Sequence, residues 1–95
     1  MRMCRAMEPF NLVWIEEPLD AYDYLGHAEL ARVIDTPIAT GEMLASVAEH
    51  VKLIEHQSCD IIQPDAPRVG GITEFLKLTT LAAQAGLTLA PHFAM

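Results

Sequence analysis

The chain is poor in every feature that marks a protein for nucleic acid, a membrane or an oxidising compartment. Its 95 residues carry only 6 Lys and Arg against 13 Asp and Glu, a net charge of −7. No basic stripe exists to displace counterions from phosphates, so nucleic acid is excluded as a partner. No apolar run approaches the roughly 20 residues that a membrane-spanning helix needs. Two cysteines, Cys4 and Cys59, make no disulfide framework and read as reduced thiols. The opening, Met1-Arg-Met-Cys-Arg-Ala-Met7, lacks the continuous apolar core of a signal peptide, and cytoplasm is the expected compartment. There is no GxGxxG or Walker pattern, so Gly70-Gly71 reads as a tight turn rather than as a phosphate cradle.

What the chain does have is a layout repeated four times: a short apolar run, a carboxylate or histidine, then an amphipathic segment. The runs are Leu12-Val-Trp-Ile-Glu16, Pro37-Ile-Ala-Thr-Gly-Glu42, Ile61-Ile-Gln-Pro-Asp65 and Leu87-Thr-Leu-Ala-Pro-His92. Their polar tips fall 26, 23 and 27 positions apart, the mark of a stacked supersecondary unit. Alternating strands and helices with short connections imply an α/β fold with a parallel sheet. Parallel strands deliver their C-terminal ends to one face, so Glu16, Glu42, Asp65 and His92 are expected to meet.

The helices follow from period and punctuation. Residues 1–8 read as the tail of a helix ended by Pro9. His27, Leu30, Ala31 and Ile34 recur on one face of a helix opened by Gly26. Ser46 and Glu49 form a capping box before a helix whose stripe is Val47, Val51 and Ile54, with His50 and His56 partly exposed. Thr73 is the expected N-cap of a third helix over 74–85. Its apolar face is Phe75, Leu76, Thr79, Ala82 and Ala83, widened by Leu78 and Leu81, and Gly86 is its left-handed stop. No linker divides the chain. Four parallel strands leave two open edges, and a closed barrel takes eight strands, so a fragment of a larger barrel is expected.

Two carboxylates at successive strand ends, Glu16 and Glu42, are hard oxygen ligands of the kind Mg²⁺ prefers. Glu17 competes with Glu16, because neighbours on a strand face opposite ways, and spacing alone does not choose between them. Asp65 and His92 pair differently. A carboxylate on one ring nitrogen fixes the tautomer and aims the other nitrogen at a substrate proton. Arg68, in the loop after Asp65, is a candidate to meet a substrate carboxylate.

The wording of these motifs resembles a known family. Trp14-Ile-Glu-Glu-Pro-Leu19, Thr36-Pro-Ile-Ala-Thr-Gly-Glu42, Ile62-Gln-Pro-Asp-Ala66 with Val69-Gly-Gly-Ile-Thr73, and Ala90-Pro-His92 are similar to the enolase superfamily in its mandelate racemase-like group. The stretch from Phe10 onward looks most like the acid-sugar dehydratases of galactarate and talarate. The resemblance implies a (β/α)₇β barrel, with residues 1–95 supplying strands four to seven and no capping domain. It maps the Mg²⁺ ligands to Glu16 and Glu42, leaves Glu17 as a neighbour, and makes Asp65 and His92 a catalytic dyad. It implies a small acid-sugar substrate, proton removal alpha to a carboxylate, loss of water, and a full-length homo-oligomer. A racemase or cycloisomerase of the same superfamily, or a non-catalytic self-associating half-barrel, are the alternatives. The family's lysine base, first metal ligand and eighth-strand acid have no counterpart here, so the chain alone is expected to be inactive.

Overall fold

The computed structural model describes residues 2–92. Residue 1, read above as part of the first helix, lies outside them. Four strands, β1 (Ile15–Glu16), β2 (Ile38–Thr40), β3 (Ile61–Ile62) and β4 (Thr88–Leu89), form one sheet in the order β1-β2-β3-β4. Every neighbouring pair is parallel. The helices are α1 (Arg2–Met7), α2 (Tyr24–Val33), α3 (Val47–Glu55) and α4 (Ile72–Gln84), so α2, α3 and α4 each fill one strand-to-strand crossover. A 3₁₀ turn, Glu8–Phe10, continues α1 across Pro9, where the sequence reading ended it.

The strand parity divides the sheet into two faces. Ile15, Ile38 and Ile62 point into a core with Leu30, Ile34, Leu44, Leu53 and Ala82. The register sets Glu16, Ala39, Ile61 and Thr88 side by side at the opposite parity. From β3 to β4 the offset is 27 residues (Ile61 to Thr88, Ile62 to Leu89), and it persists to an isolated bridge between Asp65 and His92. The spacing seen in sequence is therefore the hydrogen-bond register itself. Leu12, Val13 and Trp14, expected in β1, stay outside it and exposed. They precede the start of β2, and a strand exists only where a partner supplies its ladder.

The helix boundaries show where local chemistry overrode pattern. Asp23, not Gly26, starts α2: its carboxylate accepts from the Gly26 N–H at 2.8 Å. Gly26 lies in the first turn, where a Cβ would run into that capping carboxylate. Ser46 caps α3 as expected, accepting from Glu49 N at 3.2 Å, but Glu49 reaches back to Ala45 N at 2.6 Å instead of Ser46 N. Thr73 is not the cap of α4. Gly70 and Gly71, at φ +104 and +115, complete the turn, and the helix begins directly after them at Ile72. Its buried face is Leu78 and Ala82, while Leu76, Thr79 and Ala83 are exposed, contrary to the stripe read from sequence.

The crossovers through α3 and α4 end alike. After α4, Gly86 N bonds Ala83 O and Leu87 N bonds Ala82 O, the paired bonds of a Schellman stop, with Gly86 at φ +75. After α3 the same pair runs from Gln57 N to Ile54 O and from Ser58 N to Leu53 O, with Gln57 at φ +54. An L side chain in that region costs about 1 kcal/mol that glycine avoids. Gln57→Gly is expected to raise the melting temperature by about 4–8 °C, read by circular dichroism.

α3 departs from the sequence reading in one consequential way. Its inward residues are His50 and Leu53, both fully buried, flanked by the half-buried Val47, Val51 and Ile54. Neither His50 ring nitrogen has a partner, and burial pushes its pKa down to about 4. Between that value and about 6.5 the unfolded chain binds a proton that the folded chain refuses, so stability rises with pH across this window. The full difference is about 3 kcal/mol, a large share of what a small domain has. Urea titrations at pH 6.5 and pH 4 are expected to show that loss, and His50→Gln is expected to remove most of it.

Candidate active site

Backbone pairing brings the first two site residues together. The His92 N–H bonds the Pro64 carbonyl at 3.0 Å, setting Asp65 and His92 opposite each other beyond the ends of β3 and β4. Asp65 is 1 % exposed. Its Oδ2 meets His92 Nδ1 at 2.8 Å and its Oδ1 accepts the Arg68 N–H at 3.1 Å. These bonds to His92 and to the Arg68 backbone favour the carboxylate and lower the Asp65 pKa. The other histidine nitrogen, Nε2, lies 2.7 Å from Glu42 Oε2. Ionised carboxylates only accept hydrogen bonds, so an imidazole held between two of them donates from both nitrogens. The His92 pKa is accordingly raised, first by the Asp65 hydrogen bond, against some desolvation, then by the charges of Glu42, Asp65 and Glu16.

The two shifts act on stability in opposite pH ranges. His92 contributes below about 6.5 and its contribution is lost as pH rises through its raised value. Asp65 contributes above about 3.9 and its contribution is lost as pH falls through its depressed value.

Glu42 reaches this point because Gly41 turns the chain. Gly41 is buried at φ +129, and a Cβ there would sit 3.0 Å from His50 Cε1 and 3.2 Å from Gln63 N. Only glycine fits between those groups in that conformation. Glu16, at the end of β1, accepts from Gln63 Nε2 at 2.8 Å and from Trp14 Nε1 at 3.4 Å. Glu17 does not simply face away. It sits at φ +42, and its Oε1 is buried with no partner. Burial raises its pKa, reinforced by the charges of Glu42, Glu16 and Asp20. Three carboxylates thus crowd one edge of the mouth with a single imidazole among them.

Four residues picked from sequence, Glu16, Glu42, Asp65 and His92, therefore share one end of the sheet. Arg68 touches the site through its backbone; its guanidinium is exposed and joins no ion pair among the described residues. Gln63 and Trp14, which grip Glu16, were not singled out in sequence. The parity that puts Gln63 with Asp65 and Ile61 was a usable signal for the former. Among the described residues no three His, Cys, Asp or Glu side chains form a metal cage. Glu16 and Glu42 suit part of the shell of a hard cation that keeps several waters. A groove of about 830 Å³ lies at the opposite end, lined by residues such as His56, Cys59 and Asp60 that precede β3.

The profile of the enolase C-terminal domain-like family matches residues 1–95. The chain belongs to that family. It is 66% identical over its whole length to the L-talarate/galactarate dehydratase of Salmonella typhimurium strain LT2, and 40% identical over 90 residues to the D-galactonate dehydratase of Ralstonia nicotianae. Those 90 residues are 95% of the chain, which spans about a quarter (24%) of the length of each relative. Among solved structures, L-talarate dehydratase from Polaromonas sp. JS666, complexed with Mg and L-glucarate, superposes with a TM-score of 0.96 at 72% identity. That match covers 99% of this chain and 26% of the other. The α/β parallel sheet is thus a portion of an enolase-superfamily barrel. Among the described residues no helix is long and apolar enough to cross a membrane.

Proposed function

We propose that residues 1–95 supply strands four to seven of the barrel of a Mg²⁺-dependent acid-sugar dehydratase of the galactarate and talarate type. The observation that carries this reading is the His92 imidazole held between Asp65 and Glu42, with Glu16 within its field. Dehydratase is favoured over racemase or cycloisomerase because the relatives at 66% and 40% identity and the structure at 72% are all acid-sugar dehydratases.

In this reading His92 is the proton-transfer group, acting at Nε2. Asp65 keeps Nδ1 protonated, fixes the ring and stabilises its charged form. Glu16 and Glu42 bind the cation together with water and with ligands from outside the chain. Bound there, Mg²⁺ lowers the cost of the negative charge that grows on the substrate carboxylate when the alpha proton leaves. Nε2, which meets Glu42 Oε2 at 2.7 Å, is the nitrogen that Asp65 leaves for the substrate, and the other Glu42 oxygen would remain for the cation. Arg68, exposed beside Asp65, is available for the substrate's distal carboxylate. Cys59 takes no part: burial pushes its thiol up to about 12, which keeps it protonated and unreactive in the cytoplasm, the compartment we propose.

A segment exchange tests the reading. The matching quarter of the Salmonella dehydratase is replaced by this chain, and galactarate and L-talarate dehydration are assayed with Mg²⁺. Turnover near that of the parent supports the proposal. A folded exchange protein without turnover rejects it. The isolated chain, lacking the remaining ligands and base, is expected to show none.

A further inference from the structure

Glu16 does not hold its place alone. Its carboxylate lies at the C-terminal end of β1, the edge strand of the sheet among the described residues, and is exposed there. An exposed glutamate has several rotamers, and ordering it for a cation costs conformational entropy. One buried side chain restrains it. Gln63 is 6 % exposed, and its Nε2 donates to Glu16 Oε1 at 2.8 Å. The orientation of the amide is dictated by its partner, because an ionised carboxylate accepts only from a donor. This leaves Gln63 Oε1 buried without a partner, so the amide sacrifices one hydrogen bond to keep the other.

The same residue also braces the second carboxylate. Gln63 N donates to Thr40 O at 2.9 Å, holding the top of β3 to β2. Its main-chain N and O lie 3.2 and 3.4 Å from where a Gly41 Cβ would be, closing the space around the turn that presents Glu42. Side chain and backbone of one residue thus touch the supports of both carboxylates. Outer-shell partners of this kind are worth about 10–100-fold in metal affinity.

We propose that Gln63 is a positioning residue for the cation site, clamping Glu16 through its amide while its backbone seats the Gly41–Glu42 turn. The inference rests on the assignment of Glu16 and Glu42 to a cation and extends it to a residue that ligates nothing.

The test titrates Mn²⁺ into the segment-exchanged dehydratase described above, with free Mn²⁺ read by electron paramagnetic resonance. Gln63→Met keeps the volume and removes the donor; Gln63→Asn keeps the amide but falls one methylene short of Glu16. Each is compared with the unsubstituted exchange protein at a temperature where circular dichroism shows it folded, and each is repeated in a Glu16→Gln background. Expected is an affinity loss of about tenfold or more for either substitution, shrinking below about twofold once Glu16 is Gln, because an interaction routed through a partner vanishes with it. Unchanged affinity in both Gln63 variants, or equal losses in the two backgrounds, overturns the proposal while leaving the cation site standing. Absence of Mn²⁺ binding, or binding indifferent to both Glu16→Gln and Glu42→Gln, overturns the cation site and this inference together.

Discussion

His92→Asn in the segment-exchanged dehydratase is expected to lower kcat by about 10²–10⁴-fold, with little change in the Mg²⁺ requirement. The reason lies in how His92 is held. Nδ1 is committed to the buried Asp65 carboxylate at 2.8 Å, so only Nε2 can exchange a proton with a substrate. Asparagine keeps a donor near Asp65 but carries no titratable nitrogen. Asp65→Asn separates positioning from proton transfer. It leaves the ring an amide oxygen to donate to while removing the carboxylate charge from the hydrogen bond that contributes most to raising the His92 pKa. The pH–rate profile of Asp65→Asn is therefore expected to shift its His92 limb to lower pH, whereas His92→Asn abolishes that limb. A His92→Asn enzyme within threefold of the parent would remove His92 from the mechanism.

Glu42→Gln is expected to have the second largest effect, an affinity loss for Mg²⁺ exceeding the 10–100-fold typical of outer-shell changes, with a matching fall in kcat/KM. Glutamine keeps the shape of the side chain but removes a charge from a site where Glu16, Glu17 and Glu42 already repel one another. That repulsion makes the second consequence distinctive. Glu17 loses a neighbour that raises its pKa, so it ionises at lower pH in the variant. His92 loses a charge that favours its protonated form, so its pKa falls as well. Isothermal titration with Mg²⁺ at two pH values reads the affinity, and imidazole NMR shifts read the pKa. Unaltered Mg²⁺ affinity in Glu42→Gln would contradict the ligand assignment.

The end of the sheet where chemistry gathers was legible because the chain marks it four times. Each apolar run halts beside Pro or Gly, and the residue at the halt is polar. The Asp65–His92 pairing was written directly in the numbering, since 27 residues is also the β3–β4 register. The helix faces were less legible. In α3 the stripe Val47, Val51, Ile54 flanks the inward line through His50 and Leu53. A histidine counted as polar tilted the reading about one residue around the helix. In α4 the face was read from hydrophobicity alone, while Leu76 and Ile72 stand exposed on the outside of the described segment. Gln63 went unnoticed because, although strand parity sets it with Asp65, its role as a clamp appears only when its carboxylate partner, 47 residues away, is seen. The role of Glu17 was hidden for a different reason. Strand alternation was assumed through a residue whose φ of +42 leaves the strand.

The most direct test is paramagnetic broadening of the four histidine imidazole signals by substoichiometric Mn²⁺. His92, beside Glu42 at the C-terminal ends of the strands, is expected to broaden first. His56, at the far end of α3 among the groove residues Cys59 and Asp60, is expected to remain sharp. Broadening of His56 before His92, or of all four signals equally, would contradict the convergence of Glu16, Glu42, Asp65 and His92 on a single cation-binding mouth.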